Sequence, residues 1–203
     1  MKLTPLQSDT LTELMNIATG RAAASLSGIL RQRVGLRVIE IWSMNFSEMK
    51  QFLEQEVQML GSVIEQKFSG GMAGNSLLVM THENAHELVK ILLQQNSELA
   101  GLTSTEQSIL GEVGNIVLNA CVSMFANQTG RRVHFSLPRV LLNIQASHLA
   151  LDLADDWEGN IEGLVLKSNL MIGQARATIY ILILLTIDTE TLQALIDETL
   201  SRY

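Results

Sequence analysis

Two stretches of this chain carry one pattern: DTLTELMNIATG, Asp9–Gly20, and SILGEVGNIVLN, Ser108–Asn119. In each, a glutamate is followed three residues later by an asparagine inside an otherwise apolar segment, and the two pairs, Glu13/Asn16 and Glu112/Asn115, stand 99 residues apart. Laying residues 3–39 over 102–138 without a gap pairs Leu3, Thr4, Leu11, Glu13, Asn16, Ile17, Arg33 and Val34 with identical residues, eight matches in 37 positions, all in one register. The segments downstream of the two copies agree as well. Strand-like segments VGLRVIEIW (34–42), LGSVIEQKF (60–68) and SLLVMTH (76–82) precede a helical spacing over 83–95. The second copy repeats the order, with a helix over 104–129, strands near 133–143, 161–169 and 176–187, and a helix over 188–201.

Helix–strand–strand–strand–helix written twice is an internal duplication. Strands in consecutive hairpins pair antiparallel, so the expected fold is α+β: two three-stranded halves joined in one mostly antiparallel six-stranded sheet, with helices packed on it and pseudo-two-fold symmetry. The segment 96–107 is the connector. It is short, so residues 1–203 are expected to form a single domain with half-repeats 1–98 and 99–203. A 47% hydrophobic content with only two prolines fits a chain that folds, and 203 residues suffice for a sizeable core without cross-links.

Composition narrows the function classes. A net charge of −7, with Arg131–Arg132 as the one adjacent basic pair, argues against nucleic-acid binding. The single cysteine, Cys121, excludes an internal disulfide and a multi-cysteine metal site, in keeping with a reducing compartment. No signal peptide is visible in MKLTPLQSDT, and the longest apolar run, Thr178–Ile187, is too short to span a bilayer. It reads as a buried strand. A soluble cytoplasmic protein without membrane insertion is the expectation.

At 100° per residue, with Glu13 as zero, Gly20, Asp9 and Asn16 fall at about −20°, −40° and −60°. Leu11, Leu14, Met15, Ala18, Ala22 and Ile29 fall between about 100° and 200°, which makes them the core face. In the second helix Ser108, Glu112, Asn115 and Asn119 form the same stripe, opposite Leu110, Val113, Val117, Cys121 and Met124. Both pairs are therefore expected on exposed ridges. Asparagine is a mediocre residue for a helix interior, and glycine costs about 1 kcal/mol there against alanine. Writing Asn twice in register, with Gly20, Gly111 and Gly114 on or beside the stripe, suits the close approach of another macromolecule. A carboxamide can hold a water in a fixed orientation, and a carboxylate one turn away can pair with a partner's lysine. Hydrolysis using these groups would need the electrophile and any metal to come from the partner.

The pattern S-x3-E-x2-N-x22-P, filled by Ser108, Glu112, Asn115 and Pro138, resembles the signature of the CheC/CheX/FliY phosphatases of bacterial chemotaxis. The first copy fills it with Asp9, Glu13 and Asn16, but has Ile39 where the proline belongs. The resemblance covers the whole chain through the duplicated halves. It implies a phosphatase acting on a phosphorylated CheY-like response regulator: Asn16 and Asn115 orient the attacking water in the regulator's site, and Glu13 and Glu112 contact its lysine. The Mg²⁺ belongs to the regulator, and the chain needs no cofactor or metal of its own. The receptor deamidase CheD is a further partner the family implies. Proline fixes φ and so sets the path of the strand after the helix without touching substrate. Ile39 therefore leaves the first pair functional, and two working sites are expected, with Glu112/Asn115 alone as the alternative. The duplication favours CheC over the single-site CheX, and an end at Tyr203 favours it over FliY.

Other signals compete. HENAH, His82–His86, satisfies the zinc-protease pattern H-E-x-x-H, but it directly follows an apolar strand and so straddles a helix start. With only Glu106 as a distant third ligand, it reads as a chance match. SGGMAG lacks the lysine and hydroxyl of a phosphate loop and joins two strands, hence a hairpin turn. DLADDWEG (152–159) lacks calcium-loop spacing and reads as a solvated loop. His134 and His148 stand alone, and Cys121 falls on the core face as a small hydrophobe.

Overall fold

Both long helices begin on the same local device. A threonine caps the first turn while a residue three positions later reaches back to the cap's own N–H: Thr4 with Gln7 and Thr103 with Glu106. Gln7 N donates to Thr4 Oγ1 at 3.3 Å and Thr4 N to Gln7 Oε1 at 2.9 Å. In the second copy Glu106 N donates to Thr103 Oγ1 at 3.3 Å and Thr103 N to Glu106 Oε2 at 2.6 Å. From these caps run α1 (Pro5–Leu30) and α4 (Ser104–Gln128). Residues 104–107, where the expected connector (96–107) and the expected helix (104–129) overlap, form the first turn of α4, because the cap at Thr103 starts the helix there.

A computed structural model describes residues 2–56, 60–93, 103–144, 162–187 and 189–201. Between the long helices lie β1 (Val34–Asn45), α2 (Phe46–Glu56), β2 (Leu60–Gly70), β3 (Gly74–Thr81) and α3 (His82–Leu93). After α4 come β4 (Val133–Phe135), β5 (Arg139–Leu142), β6 (Glu162–Ile172), β7 (Ala175–Leu185) and α5 (Thr189–Ser201). Every strand pairing is antiparallel, in the order β1-β6-β7-β3-β2-β4, with β5 also on β2. The α+β class and the open antiparallel sheet are as expected. Among the described residues the count is seven strands rather than six, because Ser136–Pro138 interrupts the strand expected over 133–143; proline cannot donate to a ladder.

The pairing exchanges the first strand of each half. β1 of the first half lies on β6 of the second, and β4 and β5 of the second lie on β2 of the first. The two halves meet through β3 and β7, from Gly74 opposite Leu185 to Val79 opposite Tyr180. β7 shows how thoroughly the sheet is covered. Ile179, Ile181, Ile183 and Leu185 face the core under α1 and α4, while Tyr180, Leu182 and Leu184 face a second core. Met49 and Leu53 of α2 close that second core, with Trp42 and Phe52 packed at its edge.

Helix α2 was not foreseen. Its signal is a further capping pair in the sequence NFSE: Glu48 N donates to Asn45 Oδ1 at 2.9 Å and Asn45 N to Glu48 Oε2 at 3.0 Å. The core stripes of α1 and α4 fall as the helical periodicity predicts, except that Ile29 is 59% exposed near the helix end. Among the described residues α4 is the one helix long and apolar enough to cross a membrane; most of that stretch is buried, and it packs on α1, β2, β3 and β5. The loop 152–159 and His148 lie outside the described residues.

The helical glycines differ in kind. A Cβ on Gly114 would sit 2.8 Å from Ile64 Cβ and closer still to Ile64 Cγ2, so this glycine lets α4 rest directly on β2. Gly111 is buried over Val140 and Pro138, whereas Gly20 faces open space. Gly111 and Gly114 thus serve internal packing, not the approach of a partner.

Substitution should separate the two kinds. Gly114→Ala should destabilise the protein by about 1–3 kcal/mol despite the better helix former, while Gly20→Ala should stabilise it by about 0.4–1 kcal/mol; denaturant unfolding measures both. Cys121 is fully buried, which raises its thiol from 9.0 to about 12. It should resist thiol reagents until the chain unfolds. Because the unfolded thiol ionises first, its contribution to stability should decline as pH rises from 9 towards 12, as a Cys121→Ala comparison of stability against pH would show.

Candidate functional site

The stripe on α1 runs along exposed Asp9 and Glu13, half-buried Asn16 and exposed Gly20. On α4 it runs along exposed Ser108 and Glu112, then half-buried Asn115 and Asn119. Both acids stand on the ridge as expected. The asparagines do not, and this corrects the sequence reading. At the border of the stripe nearest the sheet, each amide is within reach of a strand and uses it.

The two halves use that reach differently. Asn16 Oδ1 accepts from Val38 N at 2.8 Å and its Nδ2 donates to Val38 O at 3.4 Å, so the amide clasps the backbone of β1. The clasp sits at the β1 bulge between Val38 and Glu40, where Ile39 turns outward, 45% exposed. Asn115 touches no strand backbone. Its Oδ1 accepts from Gln66 Nε2 and from Asn119 Nδ2, each at 2.9 Å. Gln66 Nε2 also donates to Ser136 O at 2.8 Å, in the segment that interrupts the strand. Among the described residues Asn115 Nδ2 has no protein partner, which leaves its N–H groups available to solvent or a ligand.

Pro138 is half-buried beside Gly111, next to α4. In the first half Ile39 keeps β1 continuous through the same region. A groove of about 490 Å³ opens there between the start of α1 and β1, lined among others by Asp9, Thr12, Ile39, Glu40 and Trp42. The two stripes flank opposite edges of the sheet: Asn16 is fastened at β1, and Asn115 beside β2 and the segment between β4 and β5. Gln66 was missed by sequence reasoning. Its signal is a glutamine at a core-facing place in the alternating strand SVIEQKF, between Ile64 and Phe68.

The competing motifs lack a common site. His86 is buried within α3, Thr81 caps that helix by accepting from Asn84 N at 3.2 Å, and no three His, Cys, Asp or Glu among the described residues could share a metal. SGGMAG forms the β2–β3 hairpin, with Gly71 N donating to Arg132 O at 2.8 Å. Arg131 is paired with Glu198 at 2.9 Å, which removes half of the only basic dipeptide from any patch.

No family model matches the sequence. A CheY-P phosphatase CheC from Bacillus subtilis (strain 168) is 23% identical over 141 residues, covering 68% of this chain and 67% of that protein. FliY from Thermotoga maritima superposes with a TM-score of 0.76 at 18% identity, covering 100% of both chains. The FliM middle domain from H. pylori superposes at 0.65 and 13% identity, covering 97% of this chain and 99% of that one. With a CheC relative in sequence, a whole-chain fold shared with FliY, and a duplicated Glu-x-x-Asn helix set on that fold, the chain is similar to members of the CheC/CheX/FliY family.

Proposed function

We propose that the chain is a cytoplasmic phosphatase for the phosphoaspartate of a CheY-like response regulator. The observation that carries this reading is the donor face of Asn115 beside exposed Glu112, on a helix that also carries Ser108, with Pro138 after β4 completing the signature. The name of the Bacillus relative, a CheY-P phosphatase, supports it. Glu112 would pair with a lysine of the regulator and fix the docking register. Asn115 Nδ2 would donate to a water, leaving that water's other lone pair aimed at phosphorus. The water oxygen bonds to phosphorus, the bond from phosphorus to the aspartyl oxygen breaks, and inorganic phosphate departs. Mg²⁺ in the regulator would neutralise charge on the phosphoryl group; this chain contributes position alone.

The first pair would serve a second, weaker site. Glu13 stands exposed on the ridge, and Asn16 keeps one N–H and one lone pair beyond its bonds to Val38. The second reading is a non-catalytic module that binds a regulator or the deamidase CheD. Its support is the fold shared with FliM, which has been crystallised in a FliG–FliM complex.

Phosphate release from a phosphorylated CheY-like regulator separates these. Wild-type chain should accelerate it. Asn115→Ala should remove most of the acceleration, about 10–100-fold; Asn16→Ala should remove a smaller part and, by unclasping Val38, lower stability by about 1 kcal/mol. The double variant should be inert. Binding of the regulator without any acceleration by wild type would establish the adaptor reading instead.

A further inference from the structure

We propose that Gln66 is a positioning residue for Asn115, holding its amide so that only N–H donors face outward; this rests on the phosphatase reading. Ile64, Gln66 and Phe68 form one row of β2 beneath α4, and the outer two belong to the hydrophobic core. Gln66 is 1% exposed, and among the described residues its Oε1 has no hydrogen-bond partner. An apolar side chain in this row would avoid that desolvation cost. What the glutamine adds is two donors. One N–H of Nε2 goes to Asn115 Oδ1 at 2.9 Å and the other to Ser136 O at 2.8 Å. The first fixes the amide; the second ties it to the segment that ends at Pro138.

A carboxamide oxygen has two lone pairs. On Asn115 both are taken, one by Gln66 and one by Asn119 Nδ2 at 2.9 Å. Rotating the amide by half a turn would set its NH₂ against two donors, so its orientation is determined. A water reaching Asn115 can therefore only accept a hydrogen bond from it. That water is held by one lone pair, keeps the other for the phosphorus, and its protons turn away from Asn115.

The other half lacks the device. Ser168 occupies the corresponding row of β6, between Leu166 and Leu170 of the core, with its hydroxyl buried and unpartnered among the described residues. A serine is too short to reach Asn16, which turns instead to the backbone of Val38, the residue paired with Ser168. One half thus holds its asparagine by a side chain and leaves the donors open. The other spends its asparagine on the backbone.

Gln66→Met and Gln66→Leu remove both donors, and each places an apolar side chain in an apolar row, so the fold should be retained. Either should lower phosphate release at saturating regulator by about ten-fold while leaving the half-saturating regulator concentration unchanged. In an Asn115→Ala background the same substitutions should add less than about two-fold, because Gln66 acts only through Asn115. A loss that persists undiminished in that background, or no loss in the single variants, would overturn the proposal. The side-chain amide signals of Asn115 in a ¹H–¹⁵N spectrum give a readout independent of activity. A fixed pair that shifts and averages in Gln66→Met supports the hold; signals that do not move overturn it. If wild-type chain released no phosphate, the phosphatase reading alone would fall, and the amide signals would still decide whether Gln66 fixes Asn115.

Discussion

Each long helix lies on a sheet whose outer strand is supplied by exchange, and the asparagine of that helix reaches across to the sheet or the strand beside it. This contact between an asparagine and the sheet sets the site. A helix ridge that merely touched solvent would present an acid and an amide in many rotamers. Fastened at the sheet, the amide has one orientation, and the acid one turn earlier stays free on the ridge to meet a partner. The exchange of β1 and β4/β5 between halves makes the fastening possible, because it brings the first strand of each half back beside its own helix, out at the sheet's edge.

The consequence is a duplicated architecture with unequal chemistry. Asn16 and Asn115 occupy matching positions, yet one donates to and accepts from a backbone while the other accepts from two side-chain amides. The difference arises below the helix, at Gln66 against Ser168, and beside it, where Pro138 interrupts one strand and Ile39 allows the other to continue with a bulge. Glycine obeys the same logic. Gly114 is needed because Ile64 lies directly beneath it, while Gly20 meets nothing. The duplication persists in the fold, and the divergence is concentrated where the amides are held.

Much of the fold was legible in the sequence because the repeat doubled each signal. The two long helices were marked by periodicity, the β2–β3 hairpin by its glycine-rich turn, and the strand ending at Leu185 by the apolar, β-branched run 178–187, and all appear. Helix α2 was overlooked because its capping pair, Asn45 and Glu48, immediately follows a strand with no intervening turn residues. The exchange of first strands could not be read, since pairing β1 with β6 joins residues more than a hundred apart, and no local pattern encodes it. The acids were placed correctly by angle. The asparagines were placed too far outward, because at about −60° a residue lies at the flank of a stripe, where neighbouring strands decide its exposure. Gln66 needed the opposite insight: a polar residue in a core row points to whatever packs above it.

The most direct test is a structure of this chain bound to a CheY-like regulator whose aspartate carries beryllofluoride in place of phosphoryl, with Mg²⁺ present. The account predicts α4 against the regulator's site, Glu112 on its lysine, and a water accepting from Asn115 Nδ2 in line with the beryllium. A complex in which the α4 ridge faces away from that aspartate, or in which Asn115 accepts rather than donates to the water, would contradict it.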